Sequence, residues 1–181
     1  MGTDIRQFLL DGGHADGSNK IIAVDLRQDF IDLGQNLFKE PTPGIDFRTT
    51  DVLDSADTSL DDVKGKVTLL YTGAVFHLFQ EDQQRAFAEN IKTLLATEGE
   101  VAVFGWHRGV KEKGVRVSRS GRPRFAHDPQ SWKAQWTEVL GADAKNWNIR
   151  AELRNRWTAA ESSGVDHRVL EWSLWRKQEI L

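Results

Sequence analysis

Apolar and polar residues follow two periods along this chain, and the switches between them mark out alternating strands and helices. Residues 4–10 have the spacing of a short helix, with Asp4 placed to cap it and Gly12-Gly13 to end it. A polar, Gly-containing loop over 11–19 leads into Ile21-Ile22-Ala23-Val24-Asp25. Four apolar residues running into a carboxylate predict a strand buried on both faces, as in parallel sheets. Phe30, Ile31, Leu33, Leu37 and Phe38 recur at helical spacing over 29–38, and Pro41-Thr42-Pro43-Gly44 breaks that helix. Residues 45–52 alternate apolar with polar and predict a second strand, closing on Asp51-Val52; 54–62 is an acidic surface loop or a single helical turn.

The same alternation continues downstream. Val67-Thr68-Leu69-Leu70-Tyr71 predicts a third strand, which Thr72-Gly73-Ala74 turns out of the sheet. Residues 81–97 carry Phe87, Ile91, Leu94 and Leu95 on one stripe, a helix that Gly99 ends. Val101-Ala102-Val103-Phe104 predicts a fourth buried strand, stopped by Gly105. Residues 111–124 are basic, Gly-containing and without period, which predicts a long mobile loop. Trp132, Trp136 and Leu140 are four apart in a helix over 131–140. Two last strands, 147–153 and 169–175, are joined through Ser162-Ser163-Gly164 and predict an antiparallel pair at the sheet edge. Strands alternating with helices, then a terminal hairpin, predict one three-layer α/β domain over 1–181 with a mostly parallel sheet.

Composition narrows the function. With 24 Lys+Arg against 27 Asp+Glu, a net charge of −3, the chain lacks the basic excess of a nucleic-acid binder. It has no cysteine, so disulfides and thiolate metal sites are excluded. No apolar run has the length of a membrane span, and residues 1–16 lack the pattern of a signal peptide, so a cytoplasmic protein with no membrane contact is expected. Seven tryptophans are many for 181 residues, and large aromatics line both cores and small-molecule pockets.

The chemistry-bearing candidates cluster at strand ends. Asp25 and Asp51 close two successive strands, where an open α/β sheet places its ligand crevice, and a carboxylate there can accept from a ribose diol. Asp25 equally suits a helix N-cap. His77 is a candidate general base for an alcohol or acid substrate, or a half-buried ring between Phe76 and Phe79. His107 stands just past a strand end, and Trp106 leaves that strand on the crevice side. Trp132 and Trp136 are expected in the core. The basic run 111–124 is either a clamp or lid for an anionic substrate or a solvated loop. No His/Asp/Glu set has metal-ligand spacing, and no Gly-x-Ser-x-Gly elbow is present.

In this order the pieces resemble a class I S-adenosylmethionine-dependent methyltransferase, closest to the small-molecule enzymes of fungal secondary metabolism. Gly2-Thr3-Asp4-Ile5-Arg6 resembles the tail of the family's glycine-rich first motif. Asp25 through Gly34 is similar to its acidic second motif and following helix, and Asp51-Val52 to the acid after the next strand. Thr72-Gly73-Ala74-Val75-Phe76-His77-Leu78-Phe79 resembles the Gly-Ser-Phe-Phe-His-Leu-Phe segment, and Leu94-Leu95 through Phe104 the helix, turn and strand beyond it.

The resemblance implies a Rossmann-like fold and S-adenosylmethionine as cofactor. Gly2, Asp4, Asp25, Leu26, Asp51, Val52, Thr72 and Gly73 would hold the cofactor: Asp25 at the ribose hydroxyls, Asp51 at the adenine amino group, Thr72 and Gly73 under the methionine portion. His77 and His107 would be catalytic, with Phe76, Trp106 and Arg108 facing a small-molecule substrate. The family's first strand has no counterpart after residue 2. The sheet would then be completed by a partner chain or second copy, or by direct pairing of the strands ending at Asp25 and Tyr71, or the chain is a fragment. The resulting expectation is a natural-product methyltransferase. The alternatives are a cofactor-independent isomerase or cyclase on the shortened fold, and a non-catalytic partner pairing through its sheet.

Overall fold

A computed structural model describes residues 2–12, 20–39, 44–118, 121–155 and 168–176. The Pro41-Thr42-Pro43 breaker, most of the 11–19 loop and the Ser162-Ser163-Gly164 turn lie outside the described residues. Contacts divide the chain into two compact units, Met1–Asp62 and Val63–Leu181.

The first unit runs α1 (Thr3–Leu10), β1 (Ile21–Asp25), α2 (Gln28–Phe38) and β2 (Ile45–Thr49). β1 and β2 pair in parallel, with Ile21 opposite Ile45 and Asp25 opposite Thr49. β1 is half-buried rather than buried on both faces, and Val24 is exposed. Its single ladder partner among the described residues is β2, which explains the difference. Ile31 of α2 is buried, and the Arg6 guanidinium of α1 lies over the Phe38 ring at 4.4 Å and the Phe47 ring at 5.1 Å. Gly2 begins α1 at φ 81, where a β-carbon would also overlap the Arg6 guanidinium. Arg48 forks between Asp46 and Asp62, bonding Asp62 at 2.6 and 3.0 Å.

The second unit holds β3 (Leu69–Gly73), α3 (Glu81–Leu94), β4 (Val101–Arg108), β5 (Gly114–Val117), β6 (Pro123–Ala126), α4 (Pro129–Leu140), β7 (Trp147–Asn155) and β8 (Arg168–Arg176). Its main sheet has the order β3-β4-β8-β7, with β3 and β4 parallel and β8 antiparallel to both neighbours. The terminal antiparallel pair is therefore as the pattern predicts, with the later strand on the inside. Along β4 burial alternates: Val101, Val103, Gly105 and His107 are buried, whereas Phe104 and Arg108 are exposed. The buried face packs with Phe87 and Ile91 of α3, Trp132 and Trp136 of α4, and Leu170, Trp172 and Leu174 of β8.

Several boundaries depart from the sequence expectation, and β2 ends at Thr49, short of Asp51-Val52. β3 continues through Thr72-Gly73, which are strand residues and not a turn. α3 ends at Leu94, because Leu95 is drawn into a parallel bridge with Val67. β4 passes through Gly105 to Arg108; the glycine is a point of close approach, not a stop. The segment expected as a loop over 111–124 contains the antiparallel hairpin β5–β6, in which Val115 faces Phe125 and Arg116 faces Arg124.

Candidate functional site

In the first unit the two acids stand at the carboxyl ends of adjacent parallel strands. Asp25 is the last residue of β1, and its Oδ1 accepts from the Arg27 amide at 2.9 Å. Asp51 follows β2, and its Oδ1 accepts from the Leu53 amide at 3.0 Å while its own amide donates to Asp57 Oδ2 at 2.9 Å. Each is an Asx turn that uses one carboxylate oxygen and fixes the side chain without consuming its second oxygen. The N-cap alternative is not realised at Asp25, since Arg27 is the residue flanking α2. An apolar residue follows each acid: Leu26, 63 % exposed, and Val52, half-buried. Asp4 is exposed in the first turn of α1, directly after the left-handed Gly2.

In the second unit Thr72 is buried and Gly73 ends β3. Space above Gly73 is closed by the Trp106 indole, which donates to the Tyr71 hydroxyl at 3.1 Å; a β-carbon on Gly73 would overlap that hydroxyl. Ala74 then leaves the strand at φ 59, left-handed for a residue with a side chain, with its amide donating to the Trp106 carbonyl at 2.7 Å. Such a backbone persists only where its surroundings impose it, and it is concentrated at functional turns.

A single helical turn, Phe76–Leu78, follows. Phe76 does not face a substrate: it is fully buried among Phe87, His107, Trp132 and Trp172. His77 is half-buried, and its Nδ1 is buried without a hydrogen-bond partner among the described residues. Burial, then the positive charges of Arg108 and Arg124, push its imidazole down to about 4, so it is neutral near pH 7.

His107 lies within β4 and not beyond it, 1 % exposed, on the face toward the helices. Trp172 Nε1 donates to its Nδ1 at 3.1 Å, which places the proton of the neutral ring on Nε2. Burial holds this imidazole well below its ordinary range, helped by His127 and His77. Trp132 packs on it at 4.5 Å. His107 is thus a core side chain closed to solvent, which corrects the crevice-facing expectation. Trp106 and Arg108 take the opposite parity of β4.

Two residues join this region that the sequence reading did not single out. His127, 2 % exposed, sits between β6 and α4, with Nδ1 on Ser131 Oγ at 2.9 Å. It is pushed down to about 4 chiefly by burial, with Lys113 adding to the lowering and Gln135 and Asp128 opposing it. Its place before Asp128-Pro129, a clear helix start, was the available signal. Arg124 on β6 is the other. Its signal was the alternation of Val115 and Val117, which face Phe125 and Pro123.

Among the described residues no cluster of His, Cys, Asp or Glu could hold a metal ion, and no helix is long and apolar enough to cross a membrane.

No family model matches the chain. It is 32 % identical over 151 residues to the O-methyltransferase phiE of a fungal species, covering 81 % of this chain and 50 % of that protein. It is 31 % identical over 161 residues to the methyltransferase trt5 of Aspergillus terreus, covering 84 % and 57 %. The chain thus spans about half the length of the curated relatives it matches. In fold it is similar to the 1,6-didemethyltoxoflavin-N1-methyltransferase of Burkholderia thailandensis, solved with S-adenosylhomocysteine. That likeness has a TM-score of 0.60 at 14 % identity, over 98 % of this chain and 67 % of that one. In sequence and fold the chain belongs with the class I S-adenosylmethionine-dependent methyltransferases, beside those of fungal secondary metabolism.

Proposed function

We propose that the whole protein transfers a methyl group from S-adenosylmethionine to an oxygen of a small natural product. The observation that carries this reading is the pair Asp25, the last residue of β1, and Asp51, two residues past the parallel β2, each with one carboxylate oxygen that takes no hydrogen bond among the described residues. That donor-accepting pair fits a nucleoside, whose ribose hydroxyls and adenine amine all donate. Asp25 takes the ribose hydroxyls and Asp51 the adenine amine, with Leu26 and Val52 giving apolar contact; Gly2 and Asp4 begin the helix of the first motif.

When bound, the cofactor supplies a methyl group on a positively charged sulfur. The chain's own residues contribute position more than proton transfer. An imidazole held near 4 is a weak base toward a hydroxyl but stays neutral and able to hydrogen-bond the acceptor. Trp106 and Arg108 orient the acceptor, and orientation alone can account for several kcal/mol of barrier lowering. His107 has no acceptor role in this reading.

Calorimetry with S-adenosylhomocysteine tests the reading. Saturable binding is expected, weakened by about tenfold or more in Asp25→Ala and in Asp51→Ala, the scale of one charge-assisted hydrogen bond. No binding to the intact protein at millimolar ligand, or binding indifferent to both substitutions, refutes it.

A further inference from the structure

We infer that β7 pairs with β7 of a second copy of this chain, antiparallel about a two-fold axis at Ala151, so that two main sheets become one. β7 ends the strand order β3-β4-β8-β7, and β8 is its one ladder partner among the described residues. The register against β8 runs unbroken from Trp147 opposite Arg176 to Asn155 opposite Arg168. Nine residues with no bulge and no Pro, Gly or Lys make a long regular edge, short of most features that keep an edge strand from pairing. Its side chains say which strand it takes. Ile149, Ala151 and Leu153 stand opposite the buried Leu174, Trp172 and Leu170 of β8, on the face that packs against the helices. Asn148, Arg150, Glu152 and Arg154 are exposed on the other face.

Centred on Ala151, the pairing sets Arg150 opposite the partner's Glu152 and Glu152 opposite the partner's Arg150. On the helix face Ile149 meets the partner's Leu153, and Ala151 meets its own copy. Opposite charges directly across an antiparallel pair attract, and like charges repel. Sliding the second copy by two residues one way puts Arg150 opposite Arg150. The other way puts Glu152 opposite Glu152 and Arg150 opposite Arg154. A slide by one residue turns the charged face of one copy onto the helix face of the other. The register centred on Ala151 therefore keeps all nine residues paired and sets no like charges across the ladder. Arg154 then faces the neutral Asn148, and it is already held by Glu171 at 2.9 Å and Glu152 at 3.3 Å. Arg150 takes part in none of the ion pairs of this unit among the described residues, so its charge is open to the second copy. The axis is normal to the sheet, which leaves both helix layers on one side and closes the contact at two copies. Pairing along nine residues supplies roughly eight to ten main-chain hydrogen bonds.

Sedimentation equilibrium of the whole chain, with no ligand present, tests this apart from the methyl-transfer reading. A species of twice the 20.5 kDa chain mass is expected to grow with concentration. Arg150→Glu sets acid against acid and Glu152→Arg base against base, at both symmetry-related pairs, so each should weaken the dimer by about tenfold or more. The double variant exchanges the charges and should recover the native affinity. An equal mixture of the two single variants should do the same, since each then meets its opposite. Where a single variant melts below the native chain, the exchanged double variant remains the deciding comparison. A monomer at every concentration up to about 1 mM overturns the inference, whatever other strand then takes the edge. So does a dimer indifferent to both single substitutions, which would be built on another surface, or a loss that the exchanged variant fails to restore.

Discussion

Replacing Gly105 by alanine isolates the contact that joins β3 to β4. Gly105 stands opposite Thr72 in the parallel ladder. A β-carbon there would overlap the Thr72 carbonyl oxygen and lie 2.9 Å from its carbonyl carbon and 3.1 Å from its Oγ1. The obstacle is backbone, which cannot rotate aside as a side-chain end can, so the two strands must separate locally. Losing the flanking ladder bonds costs about 1 kcal/mol each, and the residual distortion adds a similar amount, for roughly 2–4 kcal/mol. For a unit the size of Val63–Leu181 each kcal/mol shifts Tm by about 4 °C, so scanning calorimetry should show a fall of roughly 8–15 °C. Gly141→Ala is the control. Its φ is +63 and ψ −132 with open space around the position, so the backbone alone is strained, costing about 1–3 kcal/mol with no strand separation. A Gly105→Ala protein melting within 2 °C of the native chain would refute the close-approach account.

Three further outcomes follow from the same geometry. His77 and His127 are held near 4 and His107 is also lowered, so the unfolded chain takes up protons near pH 6.5 that the folded chain refuses. Their contribution is complete above about pH 7 and is lost as pH falls from about 6.5 toward 4; a Tm that stays flat over that interval contradicts it. At Ala74, φ 59, thermal stability should rank glycine at or above alanine and alanine well above valine, because a β-branched residue is a genuine outlier there; equal melting of alanine and valine variants would show the turn is not imposed. Trp172→Phe strands His107 Nδ1 in the core at a cost of about 1–3 kcal/mol, and a ring nitrogen spectrum should report a changed tautomer balance; identical stability and spectrum would argue against the indole bond.

What could be read from the residues, and what could not, turns largely on one glycine. Asp25 was legible because an apolar run ending in an acid has few other meanings, and it is indeed the last residue of β1. Trp132 and Trp136 were legible from helical spacing, and both are fully buried. Gly105 was misread because sequence alone does not separate a glycine that ends a strand from one that lets two strands touch. Carrying the alternation through it puts Val101, Val103 and His107 on one parity and Phe104, Trp106 and Arg108 on the other. The burial of His107 was therefore readable once β4 was allowed its full length. The direction of Phe76 was not readable, since only its packing on Trp132 and Trp172 decides it. Arg124 was hidden because a two-stranded hairpin keeps few apolar residues, and arginines on it look like a solvated run. The consequence reaches the chemistry. The parity that encloses His107 also sends Arg108 away from the core, and Arg108 and Arg124 are the two charges that act on His77. His107 lies on the enclosed parity, so a substitution there should be felt first in stability.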